Sequence, residues 1–139
     1  MINVSRTQTE EDLQKVFGIR RKVFVEEQQV DEAEEYEFED ESVHFLALAD
    51  GIPAGAARWR RTDKGIKLER FAVLPEYRGA GVGSALVSAV LDDIPQDAEF
   101  VYLHAQLTAV GLYKKFGFRE EGDMFEEANI KHYKMVWEK

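Results

Sequence analysis

The stretch best equipped for chemistry is Leu68-Glu69-Arg70-Phe71-Ala72-Val73-Leu74-Pro75-Glu76-Tyr77-Arg78-Gly79-Ala80-Gly81-Val82-Gly83-Ser84-Ala85-Leu86. An apolar strand ends, a glycine-rich turn follows, and a helix opens at once. Glycines let backbone amides approach a ligand with no Cβ in the way. The first helical turn adds unsatisfied N–H groups and a partial positive charge, which suits a phosphate or diphosphate. Arg78 stands beside it as a cation that can reach the same group. The competing reading is a glycine-rich helix start that only allows tight packing.

Other chemistries fit less well. An NTPase phosphate loop needs Lys and then Ser or Thr after its last glycine, whereas Ser84-Ala85 follows Gly83. A dinucleotide fingerprint needs its third glycine where Ser84 or Leu86 falls. His44, His104 and His132 stand at no metal-ligand spacing, and no Gly-x-Ser-x-Gly elbow accompanies them. The chain has no cysteine, which removes a thiol nucleophile and Cys-bound zinc and suits a reducing compartment. No metal is expected.

The elements that must carry this loop can be read from periodicity and turn residues. Ile2 to Val4 is a strand candidate. Thr9 to Glu27 reads as a helix capped by Thr9, with Leu13, Val16, Phe17, Arg20 and Phe24 at helical spacing. Glu26 to Glu41 holds ten carboxylates in sixteen positions without a clean period and reads as a loop with a helical turn. Val43 to Arg60 reads as a hairpin about Asp50-Gly51, and Ile66 to Val73 as the next strand, ended by Leu74-Pro75. A helix is predicted from Gly81 to Asp93, a strand from Glu99 to Ala105, and a helix from Thr108 to Phe116 closed by Gly117. Strands near Phe118 to Glu121 and Lys131 to Trp137 complete an α+β pattern, a mixed sheet flanked by helices.

Length and composition set the bounds. With 139 residues, 45% hydrophobic and 12% aromatic, the expectation is one folded domain over 1–139 without internal repeats. A net charge of -9 argues against nucleic acid as a partner, because phosphate backbones need a basic face. The first residues lack the basic-then-apolar run of a signal peptide, and no apolar run is long enough for a bilayer. The expected location is the cytoplasm, with no membrane partner; a homodimer is compatible with the chain.

Arg78-x-x-Gly81-x-Gly83 resembles the R/Q-x-x-G-x-G/A coenzyme A motif of the GNAT acetyltransferase superfamily. Ala109-x-x-Leu112-Tyr113-x-Lys115-x-Gly117-Phe118 is similar to that family's A-x-x-L-Y-x-K-x-G-F helix and turn. The two motifs cover the last half of the chain in the family's order. Ile19 to Gln28, with His44 and Ala57-Arg58-Trp59-Arg60, resembles a bacterial ElaA-like or YjcF-like subgroup. Arg-x-x-Val-Phe-Val-x-Glu also echoes the longer acyl-homoserine-lactone synthases, a distant alternative. Many family members have Asn where this chain reads Gln106.

The resemblance implies the GNAT acyl-CoA N-acyltransferase fold, with two parallel strands splayed around the pantetheine arm and acetyl-CoA as acyl donor. Phe71, Ala72 and Val73 would meet the arm through backbone, and Arg78, Gly79, Ala80, Gly81, Val82, Gly83 and Ser84 would cradle the diphosphate. Gln106 and Lys115 complete the implied donor site. Tyr113 matches the family's general acid; by spacing alone it is a core aromatic beside Leu112 and Phe116. Strand alternation puts Glu69, Phe71 and Val73 on one face, making Glu69 the candidate base for an amine, with an ion pair to Arg58 or Lys67 as the plain alternative. Glu26, Glu27, Gln28 and His44 are candidates for the acceptor pocket. The acidic segment points to a small cationic amine as substrate. An acetyl-CoA-dependent N-acetyltransferase is thus expected, the alternative being a non-catalytic acyl-CoA-binding module.

Overall fold

The computed structural model describes residues 1–138. Thr9 accepts a hydrogen bond from the Asp12 amide at 3.1 Å and opens helix α1, Glu10–Arg20, with Glu10, Glu11 and Asp12 on its positive end. The single helix expected to Glu27 instead widens into a π-helical stretch, Arg21–Glu27, closed by Gln28 N–H to Val23 C=O. A short helix α2, Glu32–Glu35, and a 3₁₀ turn, Glu39–Glu41, occupy the acidic segment.

Eight strands form one sheet among the described residues: β1 (Ile2–Arg6), β2 (Ser42–Ala49), β3 (Ile52–Arg61), β4 (Ile66–Val73), β5 (Val101–Gln106), β6 (Phe118–Glu120), β7 (Phe125–Glu127) and β8 (Ile130–Trp137). The order is β1-β2-β3-β4-β5-β8-β6, with β7 also on β8. All pairings are antiparallel except β4 with β5. Asp50 and Gly51 turn β2 into β3 with φ of 50° and 84°, the doubly left-handed turn that Asp-Gly favours. β7 escaped the sequence reading: its turn into β8 is Ala128-Asn129, with φ of 53° and 64°, and alanine is no signal for that geometry.

Helices cover both faces. Helix α3, Val82–Asp93, lays Leu86, Val87 and Val90 on a core with Phe45, Ala57, Leu68, Leu103 and Met135. Val16, Ile19, Val23 and Phe24 from the first helix pack against Leu46, Ala56, Ala72 and Leu74 on the other face. The helix expected over Thr108 to Phe116 is shorter, α4 at Val110–Lys114 after a 3₁₀ turn, and Gly117 follows with φ 96°.

Two departures from a regular sheet create the site. β4 and β5 pair only at Ile66–Val101, Lys67–Tyr102 and Leu68–Leu103, then separate, so Glu69 and His104 open a gap that widens toward Val73 and Gln106. β4 also bulges: Arg58 opposes Glu69 and Ala56 opposes Ala72, so one residue of β3 faces both Arg70 and Phe71, and Arg70 sits at φ 59°. Ile66 and Leu68 therefore belong to the α3 core, whereas Ala72 and Leu74 belong to the α1 core.

Candidate active site

The bulge corrects the expected alternation. Phe71 and Val73 pack toward the α3 core, but Glu69 shares the opposite face with its register partner Arg58. Glu69 is 9% exposed and accepts hydrogen bonds from Arg58 Nε at 2.7 Å, Arg58 Nη2 and Arg60 Nε at 2.8 Å, with Lys67 Nζ 3.3 Å away. Burial alone would raise its carboxyl, but the charges of Arg58, Lys67 and Arg70 and the Arg60 hydrogen bond outweigh it and lower it to about 2. So strong a carboxylic acid is a poor proton acceptor at neutral pH. The ion pair weighed against catalysis is present.

This pair belongs to a buried charge network. Arg20 donates to Glu35 Oε1 at 2.8 Å and to both Glu39 oxygens at 2.9 Å, and Arg58 Nη1 reaches Glu39 Oε1 at 2.6 Å. Burial raises the Glu35 carboxyl. For Glu39, burial is outweighed by the Arg20 hydrogen bonds and nearby positive charges, and its carboxyl is lowered. Glu35 and Glu39 of the acidic segment are thus docked on arginines, while its other carboxylates are exposed. His44, 5% exposed, bonds the Glu39 carbonyl at 3.1 Å and meets the Phe17 ring edge-on. Burial lowers its pKa, and His44 is not among the residues lining the cavity expected to take the acceptor.

Two cavities lie along the gap. One, of about 450 Å³, is lined by Phe24, Val30, Phe71, Tyr113, His104, Gln106, His132 and the carboxylates Glu34, Glu35, Glu37, Glu69 and Glu127, together with Lys67 and Arg70. The other, about 390 Å³ and more open, is formed by Val73, Tyr77, Arg78, Gly79, Gly81, Val82, Gly83, Ser84, Leu112 and Lys115. Adjacent residues Leu112 and Tyr113 of α4 line one cavity each, and Phe71 and Val73 of β4 divide in the same way.

The second cavity fits an anionic diphosphate. Gly81 caps α3 at φ 90°, a backbone that favours glycine, and the first-turn amides stand without a side-chain cap. Lys115 adds a cation. Of the residues expected at the donor site, Ala72 is buried on the α1 side, exposed Ala80 lines neither cavity, and Gln106 lies in the first cavity. Gln106 there exchanges amide hydrogen bonds with Gln28 at 2.9 and 3.3 Å, joining the end of the first helix to β5.

Tyr113 is 6% exposed, with its ring edge-on to Phe71 and Phe118. Burial pushes its phenol above the ordinary value, which keeps it a donor. Glu26 and Glu27 do not line the first cavity; Glu27 lies across the glycine turn, bonded to Arg78. Sequence reasoning passed over His104, whose Nδ1 lies 3.0 Å from Glu127 Oε2. Only the β7–β8 hairpin brings these two together, and no spacing rule relates them.

A splayed parallel pair, a glycine-capped helix with an open cavity at its start and a tyrosine in the neighbouring cavity fit an acyl-CoA-dependent transferase. The acetyltransferase (GNAT) domain family matches residues 4–139, and the chain belongs to that family. It is an acetyl-CoA-dependent N-acetyltransferase. Among its relatives, Bacillus subtilis YjcF, described as an uncharacterized N-acetyltransferase, is 42% identical over 91% of this chain and 93% of its own length. The uncharacterized protein YyaT of Bacillus subtilis is 35% identical over 99% of this chain and 96% of its own. The Escherichia coli ElaA structure superposes with a TM-score of 0.86 at 26% identity, covering 99% of this chain and 100% of that one.

Proposed function

We propose that the enzyme transfers acetyl from acetyl-CoA directly to a primary amine while both substrates are bound. The observation that carries this reading is the pair of cavities lined by neighbouring residues of the same elements, Leu112 beside Tyr113 on α4 and Val73 beyond Phe71 on β4. The diphosphate lies against Gly81, Gly83, Ser84 and Lys115, and the pantetheine arm runs along the backbone of Val73 and Phe71 toward the gap. The thioester then meets an amine held in the first cavity. The nitrogen bonds to the carbonyl carbon, the C–S bond breaks, and the Tyr113 hydroxyl donates a hydrogen bond to the departing sulfur.

The proposed acceptor is cationic, with a smaller charge basis than the acidic stretch suggests. Arg20 and Arg58 counter Glu35 and Glu39, and Arg21 counters Glu32 at 2.6 Å. Exposed Glu34, and exposed Glu37 with only Arg70 Nη2 at 3.5 Å, remain at the cavity to attract an ammonium group. Initial velocities across a panel of mono- and polyamines, read by release of CoA thiol, test both parts. Intersecting double-reciprocal lines and a lower KM for cationic amines are expected. Parallel lines with a trapped acetyl-enzyme would overturn direct transfer, and a best acceptor of net negative charge would overturn the cationic reading.

A further inference from the structure

The direct reaction has a proton to remove from the amine, and Glu69 is badly placed to take it. Its Oε2 is occupied by Arg58 and Arg60, and its Oε1 lies 3.3 Å from Lys67 Nζ. Glu35 is 1% exposed and bound to Arg20. Imidazole is the side chain whose ordinary protonation range lies nearest neutrality.

His104 occupies a distinctive position. It is the first residue of β5 beyond the last pair with β4, so it stands at the narrow end of the gap, across from Glu69. Val101, Leu103 and Ala105 alternate into the α3 core, which turns Tyr102, His104 and Gln106 to the opposite face of the sheet. Tyr113 belongs to the α3 core itself. Both residues line the same cavity, so a thioester in the gap has Tyr113 on one side and His104 on the other. The His104 side chain is 25% exposed, and Nδ1 is taken by Glu127 at 3.0 Å. The carboxylate accepts from Nδ1–H and leaves the Nε2 lone pair for a proton. The His104 hydrogen bond is the main cause lowering the Glu127 carboxyl, which keeps it ionised as the imidazole charges. Phe125 meets the His104 ring edge-on at 5.1 Å and fixes it from the same hairpin.

We infer that His104, oriented by Glu127, is the group that deprotonates the acceptor amine; this rests on the acetyl-transfer reading above. One proton passes from R–NH3⁺ to Nε2 and on to solvent. The neutral nitrogen forms the C–N bond as the C–S bond breaks, and the second nitrogen-bound proton ends on the CoA sulfur. The products are R–NH–acetyl, CoA–SH and one released proton. Charged or titratable neighbours that bear on the imidazole are Lys67 and Glu69 from β4, Glu127 from β7, and His132 and Lys134 from β8.

The test is kcat/KM against pH for wild type, His104→Gln and Glu127→Gln, with acetyl-CoA affinity by calorimetry as the folding control. For His104→Gln the expected result is a loss on the order of 10²-fold at neutral pH, shrinking as pH rises and the amine loses its own proton. Glu127→Gln should give a smaller loss with a displaced acidic limb, and imidazole added to His104→Ala should restore part of the rate. A His104→Gln protein with unchanged rate and profile, or with a loss equal at every pH, overturns the inference. A wild-type protein that binds acetyl-CoA but acetylates no amine in the panel overturns the transfer reading and this inference with it.

Discussion

Glu27 holds Arg78 through two hydrogen bonds, at 2.7 Å to Nη1 and 2.6 Å to Nη2, while Arg78 Nε donates to the Val73 carbonyl at 3.0 Å. The hydrogen bond from Arg78 lowers the Glu27 carboxyl, so the pair is ionised at neutral pH. The guanidinium beside the glycine turn is therefore engaged by a carboxylate where a diphosphate would compete for it. Glu27→Gln should tighten acetyl-CoA binding a few-fold, most at low salt, because both groups are about 40% exposed and well screened. Calorimetry at two salt concentrations checks this; weaker binding would show that Glu27 presents Arg78 instead of competing for it.

Gly83→Asp tests the diphosphate cradle with little threat to folding. Gly83 is the second residue of α3, where an acidic side chain suits the helix dipole, and a Cβ there meets Leu112 at 3.4 Å. Loss of acetyl-CoA affinity by at least about tenfold, with an unchanged melting temperature, is expected from the added charge. Unchanged affinity would remove the diphosphate from this turn.

Tyr113→Phe deletes one donor and keeps the ring packed on Phe71 and Phe118. kcat should fall on the order of tenfold or more, with acetyl-CoA binding nearly unchanged. An unaltered kcat under rate-limiting chemistry would make Tyr113 a core residue only.

Glu69→Gln should act through stability. The change leaves the 1%-exposed Arg58 without its closest anion, a loss of about 3–5 kcal/mol for a buried pair. The folded carboxyl lies at about 2, below its ordinary 4.5, so its contribution is complete above the ordinary value. It disappears as pH falls from there through about 2. Denaturant titrations from pH 7 to pH 2 should show the wild-type advantage over Glu69→Gln shrinking over that acidic window. An activity loss uniform across neutral and alkaline pH should accompany it, and a loss greatest at neutral pH that shrinks as pH rises would restore Glu69 as the base.

Ala128→Gly should stabilise the hairpin that delivers Glu127. Ala128 is held at φ 53°, a conformation costing a residue with a Cβ about 1 kcal/mol. A gain of about 4 °C in Tm is expected, read by thermal unfolding. A lower Tm would mean that the alanine methyl packs usefully.

Local chemistry accounts for what the amino-acid order alone determined. Thr9 capped its helix, Asp50-Gly51 turned its hairpin, and Gly117 took left-handed backbone because each depends on a few adjacent residues. The donor-side motif was legible for the same reason: glycine turn, cation and helix start are contiguous. The acceptor side was not. The bulge at Arg70 reverses the side-chain alternation of β4, and it is set by pairing with β3, not by any residue type within β4. The arginines that neutralise Glu35 and Glu39 reach them from α1 and β3, so their effect depends on packing between residues 15 to 19 positions apart. Glu127 meets His104 across 23 residues because β7 and β5 flank β8. Long-range pairing decided which charges are spent and which face substrate, because a carboxylate's proton affinity depends on the groups folded against it.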